Sequence, residues 1–248
     1  MKAVFLAISI LFFSVSGWSG QAMDFESFGF SKDGRYFAFI QDAVLDGSGA
    51  YWIEMGIIDV ENNKYVGRAS TGGEMEVNGD WIIADPAQRP EFIEDLKQKL
   101  SFQKYDFPKK VNEEVIVSRP NTDLTIYKNT VFSLEYWPEG GASASLQRYE
   151  LDLKEVAAPV TEDNDWCDWY GNNMIELKVN HKHFFGDYKD KVQVLQKDQR
   201  QPKVRACSSD YSIRYVLNHK DGIAVVLSYQ SPGFEGPNKD FMVVTGKL

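Results

Sequence analysis

Residues 24–39 read Asp24-Phe25-Glu26-Ser27-Phe28-Gly29-Phe30-Ser31-Lys32-Asp33-Gly34-Arg35-Tyr36-Phe37-Ala38-Phe39. Apolar residues lie on both sides of Ser31-Lys32-Asp33-Gly34. Asp33-Gly34 is a tight-turn signal, because glycine takes a positive φ without steric cost. The stretch therefore predicts strand, turn, strand. Outward from it, the apolar run 55–60 predicts the next strand after a loop over 42–50, and Trp81-Ile82-Ile83-Ala84 another. Further strands are expected over 114–117, 124–127, 131–136, 146–153, 174–179, 192–195, 212–217, 223–229 and 241–245, with turn residues between them. Many short strands with such boundaries predict a mostly-β fold. The composition agrees: 14% aromatic and 43% hydrophobic residues supply strand formers and a large core.

One segment departs from this pattern. Phe92, Ile93, Leu96, Leu100 and Phe102 recur at helical spacing after Asp85-Pro86 and Pro90. Glu91, Glu94 and Asp95 come early and Lys97 and Lys99 late, which suits the helix dipole. Asp95 and Lys99 form an i,i+4 pair, and Pro108 stops any continuation. The apolar face predicts a helix lying over a sheet.

The chain also echoes itself. Lys32-Asp33-Gly34 precedes a strand, a loop with Asp46-Gly47 and a second strand; Lys220-Asp221-Gly222 precedes another such unit with Glu235-Gly236 in its loop. A middle unit runs from Val131 through Glu139-Gly140-Gly141 to Leu153. Three hairpins of one design predict propeller-like or blade-like packing, with a β-sandwich as the alternative. The near-continuous apolar strands after Gly34 and Gly222 are expected to lie inside one common core, with Phe37 and Val226 buried.

The segment 30–39 resembles the WD40-like propeller repeat of exported proteins, in which a Ser-Pro-Asp-Gly turn leads into an apolar strand; here Lys32 stands in place of the proline. A wider likeness rests on 29–39, on Asp46-Gly47-Ser48-Gly49, on 226–238 and on Val244-Thr245-Gly246-Lys247-Leu248. These stretches resemble a bacterial family of predicted secreted proteins. That resemblance implies export and supplies no activity, substrate or catalytic residue.

The N-terminus points to the same compartment. Lys2 is followed by an apolar run over 3–15, and Gly20 and Ala22 have the small side chains a signal peptidase accepts. Residues 1–22 read as a signal peptide cleaved after Ala22, leaving 23–248 as one mostly-β domain, periplasmic or extracellular, with no membrane insertion after cleavage. Loss of Lys2 leaves 26 basic against 36 acidic residues, a net charge of −10. That balance argues against nucleic acid, whose phosphates need clustered cations. Cys167 and Cys207, with thirty-nine residues between them, read as one disulfide in an exported chain. Metal ligation and a redox couple are the other uses of such a pair. The stretch 156–165, with Pro159 and several acids, reads as a long exposed connection.

Residues able to carry chemistry are few. His181 and His183, two apart, would face one way on a strand and reach one ion, with His219 or Asp187 as a third ligand. The same segment reads equally as a solvated strand end. Asp46, Glu139 and Glu235 would line one rim if the three hairpins align, a place for a ligand or Ca²⁺. Asp42 precedes Asp46 without an EF-hand pattern. Trp166 and Trp169 flank Cys167, either to stack on a ligand or to pack around the disulfide. There is no G-x-S-x-G, no phosphate-cradling glycine loop and no H-E-x-x-H. The expected function is thus a non-enzymatic binding or interaction module with a protein or small-molecule partner and no cofactor. The alternatives are a periplasmic hydrolase using acidic residues, or a metal-binding protein.

Overall fold

The computed structural model describes residues 20–77, 80–136, 145–159, 167, 171–182, 191–200, 205, 207–233 and 236–248. The Asp33-Gly34 turn forms as the sequence predicts. Ser31 Oγ donates to Asp33 Oδ1 (2.5 Å) and accepts the Tyr36 N–H (2.9 Å), while Gly34 sits at φ 75°. In chain order the elements are β1 (Asp24–Phe30), β2 (Tyr36–Val44), β3 (Tyr51–Asp59), β4 (Lys64–Gly72), β5 (Glu74–Val77), β6 (Asp80–Ile83), α1 (Arg89–Lys99), β7 (Glu114–Ser118), β8 (Asn129–Tyr136), β9 (Ser145–Ala157), β10 (Asn173–Lys182), β11 (Lys191–Lys197), β12 (Ser209–His219), β13 (Gly222–Ser231) and β14 (Asn238–Lys247).

Among the described residues these strands form three four-stranded antiparallel sheets and a β5–β6 hairpin. The first sheet has the order β1-β2-β3-β4, the second β11-β10-β9-β8 and the third β14-β13-β12-β7. The third is the middle layer. Alternate residues of a strand point to opposite faces. On β13, Ile223, Val225, Leu227 and Tyr229 pack with Leu151, Leu153, Ile175 and Leu177 of the second sheet. Ala224 and Val226 pack on the other face with Phe30, Phe37, Phe39 and Ile58 of the first. This double burial is why β13 reads as a continuous apolar run from Ile223 to Leu227. Phe37 and Val226 are wholly buried in one cluster, as the sequence predicts.

The helix covers the outer face of the first sheet. Leu96 is buried against Ile40, Ile53 and Met55, with Phe92, Ile93, Leu100 and Phe102 packed around it. Lys99 ion-pairs with Asp95 at 2.7 Å, in the expected i,i+4 register. Asp85 caps the 3-10 turn Pro86–Gln88 that leads into the helix: its carboxylate accepts the Ala87 N–H (2.7 Å), and Gln88 accepts the Asp85 N–H (2.9 Å).

Three expectations change. The sheets stack face to face, and no closed or propeller arrangement exists among the described residues. The echoed hairpins occupy different places: β2–β3 is central in its sheet, whereas β8–β9 and β13–β14 each include an edge strand. They are therefore not copies of one blade. The stretch 124–127 forms no strand, because β7 already takes the edge of β12 from Tyr215 to Asn218. Its contacts with β12 are few: Tyr127 bonds Ser212 Oγ and the Ile213 N–H, and the Thr125 carbonyl accepts from Ser212 Oγ. Conversely β4 forms from Lys-Tyr-Val-Gly-Arg-Ala-Ser-Thr-Gly, a polar stretch with no alternation, since it needs only one paired edge and leaves most of its side chains to solvent. Of the connection read over 156–165, residues 156–157 still belong to β9, and 160–166 lie outside the described residues.

Candidate functional site

The free edge of β14 opens on a cavity of about 210 Å³ where the three sheets converge. Its walls come from Ile58 and the β3–β4 turn, from β4, from β11, from Arg205 and from β13 and β14. A bulge in the β3–β4 pairing shapes the wall contributed by β4. Ile57 pairs with Gly67 and Ile58 with Tyr65, so Val66 is the extra residue. One inserted residue brings positions three apart onto one face. Tyr65 and Arg68 consequently both line the cavity, and the Arg68 guanidinium lies 5.2 Å from the Tyr65 ring centre. Gly56 lets them lie close to the sheet: a Cβ there would meet Phe39 Cε1 at 2.7 Å and Tyr65 Cε1 at 2.9 Å.

Two hydrogen-bonded relays hold the polar walls. In the first, Arg205 donates from Nη2 to both oxygens of Asp198 (2.8 and 2.7 Å) and from Nη1 to the Tyr211 hydroxyl (2.9 Å). Asp198 in turn accepts from Gln196 Nε2 (2.7 Å), and Gln196 Oε1 accepts from Asn63 Nδ2 (2.7 Å). Asn63, a turn residue at φ 49°, accepts the Thr245 N–H of β14 at 2.9 Å. In the second relay Arg68 Nη2 ion-pairs with Glu54 at 2.9 Å. Glu54 accepts from Gln41 Nε2 (3.2 Å), and Gln41 Oε1 accepts the Phe241 N–H of β14 (3.2 Å). Both carboxylates are buried, with side chains 8% (Glu54) and 2% (Asp198) exposed, so they sit behind the guanidiniums. Buried charges paired in this way are fixed in position.

The ionisable groups of the lining hold one charge state around neutrality. Burial pushes the Tyr65 hydroxyl up to about 12 and the Tyr229 hydroxyl well above the usual tyrosine range, with Asp240 adding to the latter. Burial pulls the Arg68 and Arg205 guanidiniums down, but Glu54 beside the one and Tyr211 with Asp198 beside the other more than offset it. The described lining contains no carboxylate, histidine, serine or cysteine.

The residues singled out by sequence fall elsewhere. Cys167 and Cys207 form the expected disulfide, with Cα atoms 4.7 Å apart, both buried. Asp46 lies in the β2–β3 turn; Glu139 and Glu235 lie outside the described residues. Asp42 is taken up in structure: it accepts the Tyr51 hydroxyl (2.6 Å) and pairs with Arg89, tying the start of α1 to β2. His181 stacks on Tyr149 with ring centres 4.7 Å apart. His183, Asp187, Trp166 and Trp169 lie outside the described residues. His219 lies on β12, in the middle sheet, where it stacks on Phe30 and its Nδ1 faces the Asn112 carbonyl at 2.9 Å. Among the described residues no group of three His, Cys, Asp or Glu is placed to hold a metal ion. Sequence reasoning missed Asn63, Tyr65, Arg68, Gln196 and Arg205. Asn63, Tyr65 and Arg68 lie in a polar run after β3 for which the sequence predicts no element, and Gln196 and Arg205 carry no motif.

A family model described as "Predicted secreted protein (DUF2259)" matches residues 38–247. No curated protein matches the chain, and no solved structure does. Among the described residues no helix is long and apolar enough to cross a membrane.

Proposed function

The chain belongs to the DUF2259 family of predicted secreted proteins, and on that premise we propose that it acts outside the cytoplasm as a non-enzymatic binding protein for a small polar ligand. The observation that supports this reading is the makeup of the cavity at the β14 edge. Among the described residues its polar groups are tyrosine hydroxyls, amides and guanidiniums, each suited to hydrogen-bonding and none placed to exchange a proton near neutral pH. The two relays hold those groups in place before any ligand arrives, which reduces the entropy lost on binding. At about 210 Å³ the cavity is below the ~300–1,000 Å³ of drug-sized pockets and corresponds to roughly seven waters. It therefore suits a ligand of about ten heavy atoms or fewer.

Thermal unfolding of the exported protein against a panel of free amino acids, N-acylated amino acids, short peptides and monosaccharides tests this. At least one compound should raise the melting temperature with saturation; a hundredfold excess over Kd is worth about 2.7 kcal/mol. Tyr65→Phe should weaken that shift while leaving the ligand-free melt unchanged. A panel without effect would show that the cavity is not a binding site for such molecules.

A further inference from the structure

Resting on that binding reading, we propose that the ligand is a carboxylate-terminated amide, the chemistry of a peptide C-terminus or of an N-acylated amino acid, docked on the backbone of Val243. In an antiparallel pair, alternate residues turn both N–H and C=O away from the partner strand. On β14 the outward residues are marked by their bonds: the Phe241 N–H goes to Gln41 and the Thr245 N–H to Asn63, not to β13. Val243 lies midway between them, opposite Val226, so its N–H and C=O also point outward. Val243 lines the cavity, and its N–H has no protein acceptor among the described residues. Among the described residues the outward N–H groups on either side of Val243 are thus already taken by side chains, while that of Val243 is not. A single outward N–H and C=O pair on a strand edge matches one peptide group, which can both accept from it and donate to it, and not a whole added strand.

The charge on the walls supplies the second half of the match. The described lining carries Arg68 and Arg205 and no carboxylate, because Glu54 and Asp198 stand behind them. Arg205 is buried and held bidentately. Arg68 is 38% exposed and pairs with Glu54 through Nη2, so the face it turns to the cavity remains available to a second carboxylate. The volume admits the terminal residue and the amide before it.

The experiment is a titration of the full exported chain, ¹⁵N-labelled, with N-acetylalanine, N-acetylalaninamide, alanine, tetra-alanine and glucose, reading affinity and the Val243 amide resonance. N-acetylalanine should bind, shift Val243 and slow its hydrogen exchange. N-acetylalaninamide should bind about tenfold or more weakly, the loss expected for one charge-assisted contact, and alanine, lacking the amide, should not shift Val243. Tetra-alanine binding as well as N-acetylalanine would identify peptide ends as the source; binding by N-acetylalanine alone would identify free acylated amino acids. Arg68→Gln should remove the difference between acid and amide. If that variant fails to fold, the amide arm tests the same contact on unmodified protein. Equal binding of acid and amide, or binding that leaves Val243 unmoved, overturns the inference. Glucose or alanine binding alone overturns it too while the binding reading stands, and no binding by any compound overturns both.

Discussion

Phe37 shows how one residue ties two distant parts of the chain. Its ring lies 5.0 Å from that of Phe30 and 6.4 Å from that of Phe39, and the same cluster holds Ala224 and Val226 of β13. Phe37→Ala should therefore cost about 3–5 kcal/mol, the range for a large core aromatic, measured by denaturant unfolding. Lys239 makes a different kind of prediction. It is 9% exposed, donates to the Asn121 carbonyl at 3.1 Å, and burial with the nearby Arg214 charge brings its ammonium down to about 8. Below that pH both native and unfolded chains hold the proton, and the penalty of the buried charge is fully present. Between about 8 and the ordinary lysine value near 10.4, only the unfolded chain holds it, so native stability rises with pH. Lys239→Met should stabilise at pH 7, and its advantage over the parent should shrink by pH 9.5 in paired thermal melts.

At the scale of the element, the segment around α1 was the most legible part of the chain, because a 3.6-residue apolar stripe and a local cap are written in neighbouring residues. Asp85→Ala should destabilise by about 1 kcal/mol, since the Ala87 N–H loses its acceptor. Thermal melts would check this, and Asp85→Asn should recover most of the loss. Strand β4 was the least legible. A strand paired on one edge needs no apolar pattern, and the bulge at Val66 that turns Tyr65 and Arg68 to one face leaves no trace in composition. Gly56 belongs to the same device: Gly56→Ala should push Phe39 and Tyr65 apart and cost roughly 1–3 kcal/mol by overpacking. Far-UV and near-UV circular dichroism would separate local loosening from global unfolding.

Over the whole molecule, the layers run from α1 through the first sheet and the doubly covered third sheet to the second. The disulfide links Cys167 to Cys207, so the loop it closes contains β10 and β11 and ends just before β12 of the middle layer. Reducing it should lower stability by about 3–4 kcal/mol, because the unfolded chain regains the freedom of a 40-residue loop. Melts of the oxidised protein beside a Cys167→Ser, Cys207→Ser double variant would show it. Were the chain cut after Ala22, the Met23 nitrogen would keep its bond to the Lys239 carbonyl, and Gln21, whose carbonyl accepts the Lys239 N–H, would be lost.

What the sequence determined alone is whatever neighbouring residues decide: the Asp33-Gly34 turn, the helix and its cap, the strands with apolar runs, and the cysteine pair once export is granted. Burial of β2 and β13 on both faces was legible for the same reason, since it appears as a near-continuous apolar run. What the tertiary structure decided is the stacking order of the sheets and everything that depends on it. Asn63, Gln196, Arg205 and Val243 are far apart in the chain and carry no shared motif. They meet because three separate sheets end at one strand edge, and the open N–H of Val243 is a property of pairing between strands, to which no single side chain testifies.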